Sequence, residues 1–357
     1  MSLKWSWAFG PETTAELNTL GQWNTPNTTR SQPSALYVRS YLGSPVTRYS
    51  MNTRDGTNNN YMVGLPTNET AALTSGWLSG YVYSPSATTF DNSRLLTVKG
   101  NIANLGVRCE ADSGTRQLKL YINNVFIGQT VTTLNSSTWH HIAIRFNMGV
   151  NPWQGELWID GVQELTGADA RSAETGCSGH VGSLYGNATT YTDNTFWGDI
   201  TLYDDWADPC PVDQFVTRIS ADLDYSDNGT TLWSPASAPP GNAQSSQLQP
   251  PIAVGPVVFQ PAPLSGDYVV IGIHPLIVKL GISPTNIYGV TSHSYAAGSG
   301  GISVFTALAE LAAPTAFTSG PGSVIGTNTY VTVTAPVTPS LVPWTGLNVV
   351  LLKTEVS

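Results

Sequence analysis

Leu118-Lys119-Leu120-Tyr121-Ile122-Asn123-Asn124-Val125-Phe126-Ile127 is the stretch on which the fold turns. Leu118, Leu120 and Ile122 alternate with Lys119, Tyr121 and Asn123, which places the aliphatic side chains on one face of a strand. Asn123-Asn124 follows, and asparagine tolerates the positive φ that a two-residue hairpin turn demands, so Val125-Phe126-Ile127 returns along the first strand. The same shape recurs at Glu156-Leu157-Trp158-Ile159-Asp160-Gly161-Val162, with Asp160-Gly161 as the turn. Leu-Tyr-Ile-Asn-Asn-Val and Leu-Trp-Ile-Asp-Gly-Val thus form a weak internal repeat. Between them, 138–146 (Thr-Trp-His-His-Ile-Ala-Ile-Arg-Phe) alternates as a third strand. The apolar face so built must meet another sheet.

Working outward, Trp-His-His-Ile-Ala-Ile-Arg-Phe, a short loop, Gly-Glu-Leu-Trp-Ile-Asp-Gly, and later Phe196-Trp197-Gly198-Asp199-Ile200-Thr201-Leu202-Tyr203-Asp204 resemble the closing strands of laminin-G-like, concanavalin-A-like lectin jelly rolls. The resemblance covers roughly residues 1–222 and is strongest from 116 to 206. It implies an antiparallel jelly-roll β-sandwich. In that family a short helix often follows the final strand, and 208–219 carries an early Pro with Val212, Phe215, Val216 and Ile219 at helical spacing.

A chain of 357 residues exceeds what one hydrophobic core usually serves, so one boundary is expected. Charged residues make up only 11% while Gly, Pro, Ser, Thr and Asn abound, which favours short strands and turns and an all-β class. Three parts follow: 1–222, the jelly roll; 223–263, a Pro/Ser/Gln-rich linker or arm; and 264–357, a second, smaller β domain. In the last part Tyr268–Ile273, 329–334 and 347–352 read as strands, and 304–313 as either a strand or a short helix.

From Gly229 to Ser357 only Asp267, Lys279, Glu310, Lys353 and Glu355 are charged, five of the chain's thirty-nine, since fifteen basic and twenty-four acidic side chains are present in all. Interface cores are depleted in charge, so residues 229–357 are expected to bury surface against other subunits in a homo-oligomer or high-copy assembly. The formal charge of −9 and the lack of a Lys/Arg-rich run argue against nucleic acid as a partner. No stretch approaches the ~18–20 apolar residues of a membrane span, and Met-Ser-Leu-Lys-Trp-Ser-Trp lacks the apolar run of a secretory signal, so cytoplasmic synthesis is expected.

Concanavalin-A-like jelly rolls include glycan hydrolases, which need two carboxylates about 5–5.5 Å apart for a retaining mechanism. Glu110-Ala111-Asp112 is the nearest match, but Thr115 stands where Glu-x-Asp-x-x-Glu has its second Glu, so these acids read as a solvated strand end. His140 and His141 are adjacent on a strand and face opposite sides, which prevents joint metal ligation; one is expected to pack and the other to be exposed. No catalytic residue is therefore assigned. Cys109, Cys177 and Cys210 lack ligand spacing and read as structural thiols. Gly298-Ser299-Gly300-Gly301 lacks the Lys-Ser/Thr of a phosphate loop and reads as a flexible loop.

Eleven tryptophans and fifteen tyrosines are raw material for stacking on pyranose rings. Those in expected loops, Trp153, Tyr185 and Tyr191, are the glycan-binding candidates, with contact to a partner subunit as the competing role for each. Calcium is the common ion of related jelly rolls, and Asp193, Asp199, Asp204 and Asp205 are its candidate ligands, although no loop spells a calcium motif. Together these readings lead to a non-enzymatic structural protein of a tailed bacteriophage particle. Capsid decoration comes first and tail or baseplate appendage second, with the jelly roll displayed toward host-surface glycans. The rivals are a glycan-binding adhesin module and a glycan hydrolase or lyase of the same fold.

Overall fold

The structure is a computed structural model. It describes 3–7, 31–34, 39–41, 44–46, 50–53, 63–64, 72–84, 94–101, 106–112, 114–184 and 196–212, and then 223–227, 233–235, 257–259, 268–273, 275, 287–296, 302–310, 318–319, 323–325, 329–335, 341, 343–345 and 350–356. The chain divides into two compact units, 1–18 with 22–217, and 19–21 with 218–357. Every regular element among the described residues is a strand, and among them there is no helix long and apolar enough to cross a membrane.

In the first unit the strands run β1 Leu3–Trp7, β2 Ser31–Ser34, β3 Arg39–Tyr41, β4 Ser44–Val46, β5 Ser50–Thr53, β6 Val63–Gly64, β7 Ser75–Tyr83, β8 Arg94–Gly100, β9 Gly106–Ala111, β10 Gln117–Ile122, β11 Val125–Thr133, β12 Trp139–Asn147, β13 Trp153–Ile159, β14 Val162–Asp169, β15 Cys177–Leu184 and β16 Phe196–Tyr203. Two antiparallel sheets form an antiparallel jelly-roll β-sandwich. One sheet has the order β14-β13-β12-β7-β16-β5-β2 with β1 also on β16, and the other β11-β10-β9-β8-β15-β6.

Alternation decides what lies between the sheets. Leu118, Leu120 and Ile122 of β10 are fully buried with Val107 and Cys109 of β9 and Leu96 and Val98 of β8. From the facing sheet come Leu78, Val82, Ile142, Ile144, Phe146, Leu157, Ile159, Trp197 and Leu202. The sheets approach closely at Gly155, where an added Cβ would lie 2.9 Å from Val107 and 3.0 Å from Ile122. Burying these side chains supplies most of the stabilisation, at about 25 cal/mol per Å² of apolar surface.

Both expected turns form. Asn123 and Asn124 have φ of 53° and 66°, Asp160 and Gly161 of 49° and 82°, the left-handed pair that matches the twist of a hairpin. Each turn reverses the chain between paired strands, β10 onto β11 and β13 onto β14.

In the second unit β17 Leu223–Asp227, β18 Trp233–Pro235, β19 Val257–Phe259, β20 Tyr268–Ile273, β21 Val290–Ala296, β22 Ile302–Glu310, β23 Thr318–Ser319, β24 Ser323–Ile325, β25 Thr329–Ala335 and β26 Val350–Val356 are present. One sheet has the order β17-β20-β26-β22-β23 with β24 also on β22, while β18 pairs with β19 and β21 with β25. The stretch 223–263, read from composition as a linker or arm, contains three short strands, because a composition window averages over elements only three to five residues long. Of the ambiguous 304–313, residues 304–310 fall on β22, an extended strand whose pairing with β26 runs from Val304 to Glu310, and 311–313 lie outside the described residues. Of the helix expected over 208–219, residues 208–212 are turn and irregular chain, and the remainder lies outside the described residues.

Candidate functional site

The outward side of the six-stranded sheet carries the chemistry. Strand alternation points Lys119 and Tyr121 of β10, Arg108 and Glu110 of β9, Thr97 and Lys99 of β8, and Ser178 and His180 of β15 away from the core. Pairing sets Tyr121 opposite Arg108, Arg108 opposite Thr97 and Thr97 opposite His180, a single row across four strands. On the other flank Phe126 of β11 lies opposite Tyr121.

The aromatic end of this row is built by the hairpin. Tyr121 and Phe126 have ring centroids 5.5 Å apart at 57°, and the Arg108 guanidinium covers Tyr121 at 4.3 Å from its centroid. One tyrosine face is thereby occupied, while Phe126 remains 52% exposed, so the open apolar ring is that of Phe126. Arg108 also donates from Nη1 to the Asn124 side-chain carbonyl, which ties the turn to the same cluster.

The middle is an ion-pair junction. Glu110 Oε1 accepts from Arg108 Nε at 2.6 Å and from Arg94 Nε at 2.8 Å. Arg94, Arg108 and Glu110 keep 25%, 11% and 15% of their side-chain surface, so the junction is shielded without being sealed. Asp112 pairs with Lys119 and accepts from the Thr115 hydroxyl at 2.6 Å. The bond from Lys119, then that from Thr115, hold its carboxyl below the ordinary range. Glu110 and Asp112 are therefore ion-paired acids and not the solvated strand end expected from sequence, because register brings three cations against them.

Beyond the junction lie Lys99, which forms no ion pair among the described residues, and the His180 imidazole. Lys99 is lowered by burial and then by the charge of Arg94, and His180 is lowered to about 4 by burial and then by the charge of Lys99. His180 Nδ1 is buried without a hydrogen-bond partner.

The residues singled out by sequence fall elsewhere. Trp153 is fully buried at the start of β13, and its indole donates to the Ser172 carbonyl at 2.9 Å, so it offers no face to a sugar. The strand begins at Trp153, whereas Pro152 and Gly155 around it read as loop. Tyr185, Tyr191 and Asp193, with the glycine-rich 298–301, lie outside the described residues. Asp199 is buried at a bulge within β16 with φ of 51°, Asp204 pairs with Lys4 at 2.9 Å, and Asp205 accepts from the Ala207 amide at 2.8 Å. Among the described residues no group of three or more His, Cys, Asp or Glu could hold a metal ion, and Asp199, Asp204 and Asp205 form no calcium cage.

His140 and His141 are both buried, correcting the expectation that one is exposed. Both faces of this sheet are covered: His141 packs on Tyr81 at 5.0 Å, and His140 bonds to Asp160 at 2.7 Å. On the same outer side Leu3, Trp77, Ala143 and Tyr203 form a second apolar cluster with Trp158 and Cys210 packed against it. Glu156 there receives Arg145 at 3.2 Å and the Trp158 indole at 2.8 Å. All three cysteines are free, and burial pushes the Cys109 thiol well up and that of Cys177 to about 12, which leaves both inert.

The strand order and pairing define an all-β protein with a jelly-roll β-sandwich. No family model and no curated protein matches the sequence. Among solved structures the chain is similar to an alginate lyase from Chlorella virus, at 10% identity and a TM-score of 0.39 over 56% of this chain and 100% of that one. It is also similar to a carbohydrate-binding module from Bacillus subtilis, at 9% identity and a TM-score of 0.29 over 51% and 94% of the two chains. A third similarity is to a heptameric pentraxin from Limulus polyphemus, at 13% identity and a TM-score of 0.31 over 43% and 75%.

Proposed function

We propose that this protein is a non-enzymatic, glycan-binding component of a bacteriophage particle, a capsid decoration protein first and a tail or baseplate appendage second. The observation that carries the glycan reading is the exposed Phe126 ring beside Tyr121, Arg108 and Asn124. An aromatic face with hydrogen-bonding side chains around it suits a pyranose, whose C–H face stacks while its hydroxyls bond.

The non-enzymatic reading is supported by the state of the acids. Glycoside hydrolysis needs one carboxylic acid kept protonated, yet Asp112 is held below the ordinary range and Glu110 accepts from two arginines. The particle reading is supported by the sparse charge of 229–357, which suits burial against other virion subunits. Many copies of a weakly binding sandwich then give avidity for a host surface.

The test is a binding screen on full-length protein and Phe126→Ala, against a panel of bacterial surface polysaccharides, with light scattering of the full-length chain. The expected result is an oligomer that retains one or more polysaccharides unchanged, with retention lost in the variant. A monomer that shortens the polysaccharide it binds would refute both the assembly and the non-enzymatic role.

A further inference from the structure

We propose that the outer face of the six-stranded sheet selects anionic glycans, with the side chains of Lys99, Arg94 and Arg108 taking the carboxylates or sulfate esters of a chain of which another sugar stacks on Phe126. This inference rests on the glycan reading of the same face and adds its substrate class.

The chain carries −9 overall, yet this face assembles Arg94, Lys99, Arg108 and Lys119 against Glu110 and Asp112, an excess of two positive charges from four cations and two carboxylates. Lys119 is committed to Asp112. The excess therefore sits on Arg94, Arg108 and Lys99 around the single carboxylate of Glu110.

The donors these groups leave unspent point the same way. Arg94 gives only Nε to Glu110, and Arg108 gives Nε to Glu110 and Nη1 to Asn124, so both Nη of Arg94 and Nη2 of Arg108 keep donor capacity. Lys99 forms no ion pair among the described residues, although it is partly buried and feels Arg94. Pairing places Lys99 opposite Gly106 on β9 and Ser178 on β15, so a glycine and a short hydroxyl flank the ammonium. An added Cβ at Gly106 would lie 1.7 Å from the Val98 carbonyl oxygen, which keeps that flank free of a side chain. Arg108 and His180 are the diagonal neighbours of Lys99, at a spacing of ~7–8 Å between Cα atoms. Three shielded cations around one carboxylate, Glu110, are under-neutralised, and a bound anion relieves that cost.

Affinity electrophoresis of the full chain through gels containing polygalacturonate, dextran sulfate or neutral dextran tests this, with a single-stranded DNA oligonucleotide as competitor. The expected result is retardation by an anionic glycan and not by dextran, weakened by added salt and about tenfold weaker in Lys99→Gln, a loss near 1.4 kcal/mol. Phe126→Ala should weaken the same retardation. Preference for polygalacturonate over dextran sulfate assigns the anion as carboxylate, and the reverse as sulfate. Retardation by neutral dextran alone, dependent on Phe126, overturns the anionic assignment and leaves the glycan reading standing. Competition by DNA as strong as that by the anionic glycan overturns the glycan reading itself, and so does retardation by none of the three. Lys99→Gln keeps a long polar side chain on the outward face, and its unfolding curve, matched to the parent, separates lost binding from lost fold.

Discussion

His140 donates its Nδ1 proton to Oδ2 of Asp160 at 2.7 Å, across twenty residues of sequence. The tautomer follows from the other ring nitrogen, since Nε2 accepts the Asn135 amide at 2.9 Å and so carries no proton. Asp160 Oδ1 in turn accepts the His141 amide at 2.8 Å. One carboxylate thus ties the β13–β14 turn to the start of β12, the two elements that the internal repeat placed side by side.

Asp160→Ala should therefore destabilise the sandwich by about 2 kcal/mol, through two lost hydrogen bonds and a left-handed φ of 49° that alanine resists. Asp160→Asn should cost less, because asparagine accepts that conformation. Burial alone would raise the Asp160 carboxyl, but the bonds from the His140 ring and then from the His141 amide hold it below its ordinary value. A depressed carboxylate stabilises above its unfolded pKa, and that contribution disappears as pH falls through the folded value. Denaturant titrations of parent and Asp160→Asn should converge in strong acid; curves that stay parallel at every pH would rule the bond out as a source of stability.

Trp153→Ala should unfold before it affects binding. Its ring is fully enclosed between the sheets, and removing it leaves a cavity worth roughly 3–5 kcal/mol. Chemical denaturation measures that loss directly. A variant of near-parental stability with altered glycan retention would return Trp153 to the binding surface.

The misplacement of Trp153 shows where local sequence runs out. The strands and hairpins are legible because period-two alternation and Asn-Asn or Asp-Gly turns are local signals, each determined by a few consecutive residues. Loop membership near Trp153 is judged from Pro152 and Gly155, and neither reports that β12 pairs as far as Asn147 against Gln154. The binding face is less legible still. Tyr121 and Lys119 are visibly outward from the alternation alone, but their meeting with Arg108, Lys99 and His180 depends on the order β10-β9-β8-β15, which no local pattern contains. The pairing of Phe126 with Tyr121 is legible, since the turn sets Ile122 opposite Val125 and the next residue on each strand must then face its counterpart.

Gly76 is a second place where pairing leaves no freedom. It lies on β7 at φ 149°, and an added Cβ would sit 1.9 Å from the Tyr203 carbonyl oxygen, a backbone atom that cannot rotate away. Gly76→Ala should part β7 from β16 and cost about 3 kcal/mol or more. A thermal melt of the variant within a degree or two of the parent would contradict so tight an approach.

His180 supplies the sharpest pH test of the sheet face. Its folded pKa is near 4, lowered first by burial and then by Lys99, while the unfolded chain takes the ordinary value near 6.5. Between these values the unfolded state binds a proton that the folded state refuses, so stability rises with pH across that window and falls as pH drops through it. The full difference is up to about 3 kcal/mol, complete below pH 4. Lys99 on β8 is the cation that crowds it from the neighbouring strand, and Gly64 on β6 brings no charge from the other side. An anion bound between Lys99 and Arg108 offsets the repulsion and moves the imidazole back toward 6.5. NMR titration of His180 should therefore give a low midpoint in the free protein and a higher one with polygalacturonate or dextran sulfate present. A free-protein midpoint already near 6.5 would mean that the ring is neither desolvated nor crowded by Lys99, and the uncompensated cation cluster would not exist.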